Sequence, residues 1–569
     1  MPDPLAVPLE QSKRQYLVRR LPASPVGGMT PASFFAPMGS QLGGAHGVSV
    51  GPSVASQEPL TNTMQRLKLQ GLDIDLIDTL KSTSRAPFSV ASVFGGALGS
   101  AAATPEVAIA SMTPQTAESL KSQSGLGNNM QVEEDSLLQY GSLNLVDAIR
   151  ADVGRISARF STSATIAFPA TPYSFVVAGE GGQPLPNATI LLYGDDKPAE
   201  GKTDANGRVT IQFQSTSGRP SALLVMPEKD HWDFLLREPS LQTPAPNAVR
   251  MTSYRQSVPG FLNGPVTTWG QRIMGFSQAT NGDNITGAGI RIAIIDSGCD
   301  NTHPLLQHIQ QGLDCTSAGA AVTWNVDVVN HGTHCAGVIA AKSTRGTGMR
   351  GFAPEAEVHI FKIFPGGRLS DLIRAIDECI SRGIDVVNLS LGSPDFSTIV
   401  DDKLREARMQ GVACIAAVGN SGGAAQFPAS SDATLGVAAI GQLNQFPSDS
   451  SHILTVTEFR NPTDGVFSPA FTCRGTGVDV CAPGVAVLST VPGNGFKSMD
   501  GTSMATPHVT GLAAALLAHN PILKSVPRSA VRVDQLFTML RQATANLQYP
   551  FGVDRVGMGM PTIGLLAAN

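Results

Sequence analysis

The chain reads as an α/β protein: a parallel sheet with helices on both faces in its C-terminal half, preceded by a small α+β unit and a small all-β sandwich. Three patterns predict this. After about Gly289, short apolar runs alternate with helical segments. Between residues 173 and 236, four β-branched or aromatic runs are separated by turn sequences. Ahead of residue 141, isolated strand-like and helix-like segments follow a Pro-, Gly-, Ser- and Ala-rich start. A length of 569 residues fits such a division, since roughly 150 residues per domain gives a prior of about three or four.

Composition excludes several roles. Charged residues are 15% and hydrophobic residues 42%, enough to bury a core. A formal charge of -5 and a pI near 6.1 leave no basic field to gather phosphates, so no nucleic-acid role is expected. The most apolar stretches, such as 511–518, fall short of the roughly 18 residues a spanning helix needs, so no membrane span is expected. Met1 to Pro25 carries Lys13, Arg14, Arg19 and Arg20 but no continuous apolar run, so no standard secretory signal is read there. Localisation stays open between the cell interior and export by a non-standard route. Seven cysteines, Cys299 to Cys481, leave at least one thiol without an intrachain partner, and no CxxC pair suggests zinc.

Taken in order, Gln15–Arg20 is strand-like within an otherwise irregular start over residues 1–60. Apolar residues from Met64 to Leu80 recur at mixed spacing and predict a helix with a short break. Val107–Ala110 predicts a strand, Thr113-Pro114 a helix start running to about Ser124, and Met130 to Leu138 another strand. Residues 142–170 read as a linker. Tyr173–Ala178, Ala188–Tyr193, Val209–Phe213 and Ala222–Met226 predict strands of a sandwich over 171–245, with Asp204-Ala-Asn-Gly207 as a tight turn. Beyond it, Ile292–Ile295, Val358–Phe361, Val386–Leu389, Val412–Ala416 and Leu435–Ile440 predict buried strands, with helices at Leu369–Cys379 and Ile399–Met409.

Three segments place an acid, a base and a nucleophile where open α/β sheets gather chemistry, beyond the carboxyl ends of strands. Asp296 follows the strand Ile292–Ile295, His331 opens the small-residue segment His331–Gly337, and Ser503 leads into the apolar run that continues to Ala518. Each alone has an ordinary explanation in a cap, a structural histidine or a loop. Together, Asp, His and Ser in this chain order, each in a glycine-rich junction, match one of the known orders of a serine triad.

These residues resemble those of the subtilase family of serine peptidases, from about Gly260 to Asn569. Gly351-Phe-Ala-Pro-Glu355, Ser390-Leu-Gly392, Ala416-Ala-Val-Gly-Asn-Ser421, Cys481-Ala-Pro-Gly484 and Gly557-Met-Gly-Met-Pro561 carry the likeness further. One departure is Asn330, where the family typically has glycine before the histidine. The resemblance implies a subtilisin-like catalytic domain over 255–569 and a serine endopeptidase acting on polypeptides through Asp296, His331 and Ser503. It also implies Asn420 as oxyanion donor and Ser390, Leu391, Gly392 and Gly419 as substrate-binding positions. Gln426 then lies near the base of the primary specificity pocket or points to solvent. Cys335 matches the cysteine-containing branch of the family and reads as a buried small hydrophobe; Cys299 is ambiguous, and a Cys473–Cys481 disulfide stays open. No cofactor or metal is needed for the chemistry, and structural calcium is left open.

Residues 1–141 resemble, after their irregular tail, the inhibitor-type prodomain of subtilases, most specifically at Gln131-Val-Glu-Glu-Asp135. That implies a self-processing zymogen whose own prodomain is its intramolecular inhibitor, cut near Leu138 to Gly141 or, as a rival, near Gly260. The sandwich resembles the transthyretin-like modules of secreted peptidases, as a binding module or a rigid spacer. Two other functions are weighed: a dedicated processing peptidase or peptide ligase acting on one partner protein, and a non-catalytic binding protein. The complete set Asp296, His331, Asn420 and Ser503 speaks against the second.

Overall fold

The computed structural model describes residues 12–21, 59–80, 106–122, 130–140 and 169–566, except 195–197, 216, 262–264, 277–284, 317–322, 344–347, 543 and 545–550. The expected linker lies outside the described residues as far as residue 168. The chain divides into two compact units between Asp135 and Ser136.

In the first unit four antiparallel strands stand in the order Ile74–Leu80, Val107–Met112, Arg14–Arg20 and Met130–Glu134. Helices Leu60–Leu69 and Pro114–Ser122 contribute Met64, Leu67, Ala117 and Leu120 to a core shared with Tyr16, Val18, Ala110 and Val132. Thr113 starts the second helix by accepting a hydrogen bond at Oγ1 from the Thr116 amide, 3.2 Å. The helix expected across Met64–Leu80 is a helix followed by a strand. Gly71 at φ +95° turns the chain out of the helix, and the next apolar residues follow a strand period interrupted by a bulge between Leu76 and Asp78. Their mixed spacing is two periods joined. The strand expected to reach Leu138 ends at Glu134.

From Thr171 to Met251 the second unit forms two small sheets. One orders Phe234–Arg237, Ala222–Met226, Thr189–Tyr193 and Ala199–Lys202; the other orders Asn247–Met251, Thr171–Gly179 and Arg208–Phe213. Phe175, Val177, Ile190, Leu192, Phe213 and Val225 close a core between them. Alternate residues of the first sheet, Leu191, Tyr193 and Leu224, face the other way and join one apolar cluster with Leu235, Ile453 and Leu454. The two sheets are thereby packed into the rest of the unit.

That rest is an eight-stranded sheet. Its parallel strands run in the order Gln311–Asp314, Glu357–Lys362, Arg291–Asp296, Val386–Leu389, Ala413–Ala417 and Thr434–Gln442, and Val480–Pro483 pairs parallel with the last. Val466–Phe467 adds an antiparallel edge. The central strands are buried from end to end, which explains their unbroken apolar runs. Helices His331–Ala340 and Thr502–His519 pack together and are buried almost throughout, as their Gly, Ala, Thr and Ser content allows. No helix among the described residues is long and apolar enough to cross a membrane.

Candidate active site

Asp296 is the last residue of its strand and His331 the first of its helix, and both are buried. The His331 Nδ1 lies 2.8 Å from Asp296 Oδ1 and 3.0 Å from Oδ2. Two backbone features make this approach. Asn330 takes the left-handed conformation, φ 71°, which explains why glycine suits the position and why asparagine is an acceptable replacement. Gly332 follows because a Cβ there would lie 2.1 Å from the Gly298 carbonyl oxygen.

Asp327 holds the loop that presents His331, and sequence reasoning missed it. Its Oδ1 accepts from Ser297 Oγ, Val329 N and Asn330 N at 2.9–3.0 Å, and its Oδ2 from Thr333 N and Thr333 Oγ1 at 2.9 and 2.7 Å. The available signal was an acid four residues ahead of a histidine that opens a helix, a spacing common in ordinary caps. Burial works against protonating His331, but the charge and hydrogen bond of Asp296, reinforced by Asp327, prevail and raise its pKa above the usual imidazole value.

Ser503 is the second residue of the helix that starts at Thr502 and is fully buried. Its hydroxyl donates to the Ser390 carbonyl at 3.1 Å, and Ser390 Oγ donates back to the Ser503 carbonyl at 2.9 Å. The His331 Nε2 is buried and has no hydrogen-bond partner among the described residues. The acid–base pair is therefore assembled, while the serine hydroxyl rests on Ser390. Asn420 lies alongside: its Oδ1 accepts from Thr502 N and Thr502 Oγ1 at 2.8 and 2.9 Å, so the carbonyl end of its amide is tied to the helix that carries Ser503.

Gly419 has φ +104°, and its amide donates to Thr502 Oγ1 at 3.2 Å. A Cβ built on Gly419 would lie 2.5 Å from Gln426 Oε1, and one on Gly392 3.0 Å from the same atom. The Gln426 side chain thus lies against these two glycines.

Leu391–Gly392 forms an antiparallel ladder with Gln139–Tyr140, pairing Leu391 with Tyr140 and Gly392 with Gln139. On the other side residues 136–138 meet Gly367–Leu369: the Leu138 amide donates to the Gly367 carbonyl at 2.8 Å, and the Leu369 amide to the Ser136 carbonyl at 3.2 Å. Residues 136–140 thus form a middle strand between two segments of the sheet body. The Tyr140 ring centroid lies 5.6 Å from that of His331 and 5.4 Å from that of Phe364.

All seven cysteines are free thiols and buried, so the Cys473–Cys481 pairing left open by sequence is not formed. Burial, with Asp296 close by, pushes the Cys335 thiol well above its usual pKa, and its Sγ reaches the Ser503 carbonyl at 3.6 Å. It is a neutral packing residue. Among the described residues, the only three metal-ligating types that converge are Asp296, His331 and Cys335, the acid–imidazole pair plus this thiol, which is not the oxygen-rich set that calcium takes.

An acid–imidazole pair beside a serine at a helix N-terminus, all at the carboxyl end of a parallel sheet, is the architecture of a serine hydrolase. The subtilase family model matches residues 287–559. The chain is 31% identical to subtilisin E of Bacillus subtilis (strain 168) over 331 residues, 56% of this chain and 75% of that protein. It is 34% identical to subtilisin of Bacillus pumilus over 253 residues, 43% of this chain and 82% of that protein, and 34% identical to alkaline protease of Alkalihalobacillus alcalophilus over 281 residues, 48% and 64%. The chain belongs to the subtilase family and is a subtilisin-like serine endopeptidase. Its substrate is polypeptide, and subtilisins need no cofactor for catalysis.

Proposed function

We propose that the chain is a self-processing endopeptidase in which Ser503 attacks the scissile carbonyl, His331 takes its proton and returns it to the leaving amine, and Asp296 holds the imidazole. Ser503 Oγ must exchange the Ser390 carbonyl for His331 Nε2, the atom that has no hydrogen-bond partner among the described residues. The backbone amides at the start of the Ser503 helix and the Asn420 amide then stabilise the oxyanion. An extended peptide adds as a strand to Leu391–Gly392, and the Gln426–Gly419 wall receives the side chain next to the cut.

The observation that carries this reading is the segment 136–140, seated as a substrate would be with Tyr140 over the base. Residues 1–135, which precede it, act as an inhibitor-type prodomain. One register step beyond the Tyr140–Leu391 pair arrives at Ser390, whose carbonyl holds the nucleophile, so the cut falls at the Gly141–Ser142 bond. A cut near Gly260 fits less well, because the two small sheets share an apolar cluster with Ile453 and Leu454 and would not be released. Those sheets, the transthyretin-like sandwich of the sequence reading, stay with the mature enzyme.

Intact-mass analysis with N-terminal sequencing of wild type beside Ser503→Ala, after incubation at neutral pH, tests this. Wild type should begin at Ser142 while Ser503→Ala stays whole; identical trimming of both chains would remove Ser503 from the role.

A further inference from the structure

Beside His331 opens a cavity of about 330 Å³ with walls from two parts of the unit. The sheet body supplies His331, Lys497 and Asp500; the two small sheets supply Met226, His231 and Asp233. These walls are fastened together. The Asp230 amide donates to the Phe496 carbonyl at 2.8 Å, and the Phe496 amide to Asp230 Oδ1 at 2.9 Å. Asp233 Oδ2 accepts from the Ser451 hydroxyl and amide. Trp232 stands edge-on to His452 at 5.7 Å.

Tyr140 also lines this cavity. A polypeptide bound as residues 136–140 are bound passes between Gly367–Leu369 and Leu391–Gly392 and reaches the triad at its carboxyl end, so its residues beyond the scissile bond face these walls. The charges there are unequally satisfied. Both Asp500 oxygens lie 2.8 Å from His452 Nδ1, and Oδ1 also accepts from the Ala486 amide. Lys497, by contrast, has no side-chain hydrogen bond or ion pair among the described residues. Burial lowers its pKa, with the charges of Asp233 and Glu228 opposing. A half-buried ammonium without an ion pair, beside an Asp500 held by His452 and an Asp233 held by Ser451 through Oδ2 alone, gains from a carboxylate brought by a ligand.

We propose that this cavity binds the substrate residues on the leaving side of the cut, that the two small sheets form one of its walls, and that Lys497 there receives a carboxylate. The carboxylate is an acidic side chain or the substrate's own C-terminus. This rests on the peptidase reading above.

The test uses the full chain after self-processing. Peptides share one sequence before the cut and carry Ala, Asp or Lys at each of three leaving-side positions, with amidated ends; a second set carries Ala-Ala with a free or amidated end. A peptidyl p-nitroanilide, which has no leaving-side residue, reports the triad alone. Wild type should show a KM about tenfold lower for one acidic position, or for the free carboxylate, than for the Ala amide. The first result names an acidic side chain, the second a chain terminus. Lys497→Met should level acid and alanine, and Lys497→Arg should keep the preference. His231→Ala should raise KM for the long peptides relative to the anilide. Equal KM across all peptides, with the anilide cleaved, overturns the carboxylate assignment; a His231→Ala ratio equal to wild type overturns the shared wall. No anilide cleavage by wild type overturns the peptidase reading itself.

Discussion

The Tyr140 ring lies 5.6 Å from the His331 imidazole and 53° from its plane, so the residue two positions before the proposed cleavage bond covers the base that would cleave it. The contact is within one chain and, if the cut falls after Gly141, becomes a contact between two chains once the bond is hydrolysed. Replacing Tyr140 with Ala removes two ring contacts, with His331 and Phe364, each of the kind that contributes about 0.5–1.5 kcal/mol. Self-processing should slow severalfold, as followed by timed intact mass; an unchanged rate would show that the ring does not hold the segment in place.

Asn420 is tied by its carbonyl end to Thr502. For Asn420→Ala the expected loss is about 10²–10³ in kcat, roughly 2.7–4 kcal/mol, with KM little altered. Steady-state kinetics on a peptide anilide separates the two parameters, and a change confined to KM would speak against the oxyanion role.

In the proposed mechanism His331 must be neutral to accept the Ser503 proton, and Asp296 raises its pKa above the usual value of 6.5. Activity should therefore rise with pH on an acid limb centred above 6.5. Asp296→Asn removes the charge that favours the imidazolium, so that limb should move to lower pH while kcat falls by about 10⁴-fold. A limb that stays put in the variant would assign the titration to another group.

His452 is buried between Asp500 and Asp233. Burial opposes its protonation, but the two carboxylates prevail and raise its pKa to about 9. Its folded value lies above its unfolded one, so its contribution to stability is complete below pH 6.5 and is lost as pH rises towards 9. The difference is on the order of 3 kcal/mol. Melting temperatures of wild type and His452→Gln, compared from pH 6 to pH 9.5 in the Ser503→Ala background, should converge with rising pH; parallel curves would contradict the assignment.

Gln426 rests against Gly392 and Gly419. Gln426→Ala enlarges that wall and should broaden the side chains accepted immediately before the cut. A peptide-library cleavage profile indistinguishable from wild type would place the determinant elsewhere.

The three residues proposed as a triad stood out in the sequence because each sits in a short, local pattern: a strand end at Asp296, a small-residue helix start at His331, a glycine turn before Ser503. Asp327 was not legible, since its importance comes from five hydrogen bonds that converge only in the folded loop. Likewise Ala199–Lys202, Phe234–Arg237 and Asn247–Met251 are short, and the first has no apolar alternation. They become strands because neighbours offer them a ladder. The mixed period across Met64–Leu80 misled for the opposite reason: two locally clear elements met without a strong turn sequence between them. The joint wall beside His331 unites residues more than two hundred positions apart, such as Asp233 and Ser451, which no local pattern announces.

The apolar cluster that joins Leu191, Tyr193 and Leu224 to Ile453 and Leu454 has a practical consequence for anyone trimming this enzyme. The two small sheets are not a detachable cassette. A version shortened to the parallel sheet would lay bare Ile453 and Leu454, strip Asp233 from Ser451 and take the Trp232 ring away from His452, whose partner Asp500 lies three residues ahead of Ser503. Shortened enzymes should begin ahead of Thr171, and domain-swapping designs should carry residues 171–251 together with the catalytic body as one cooperative block.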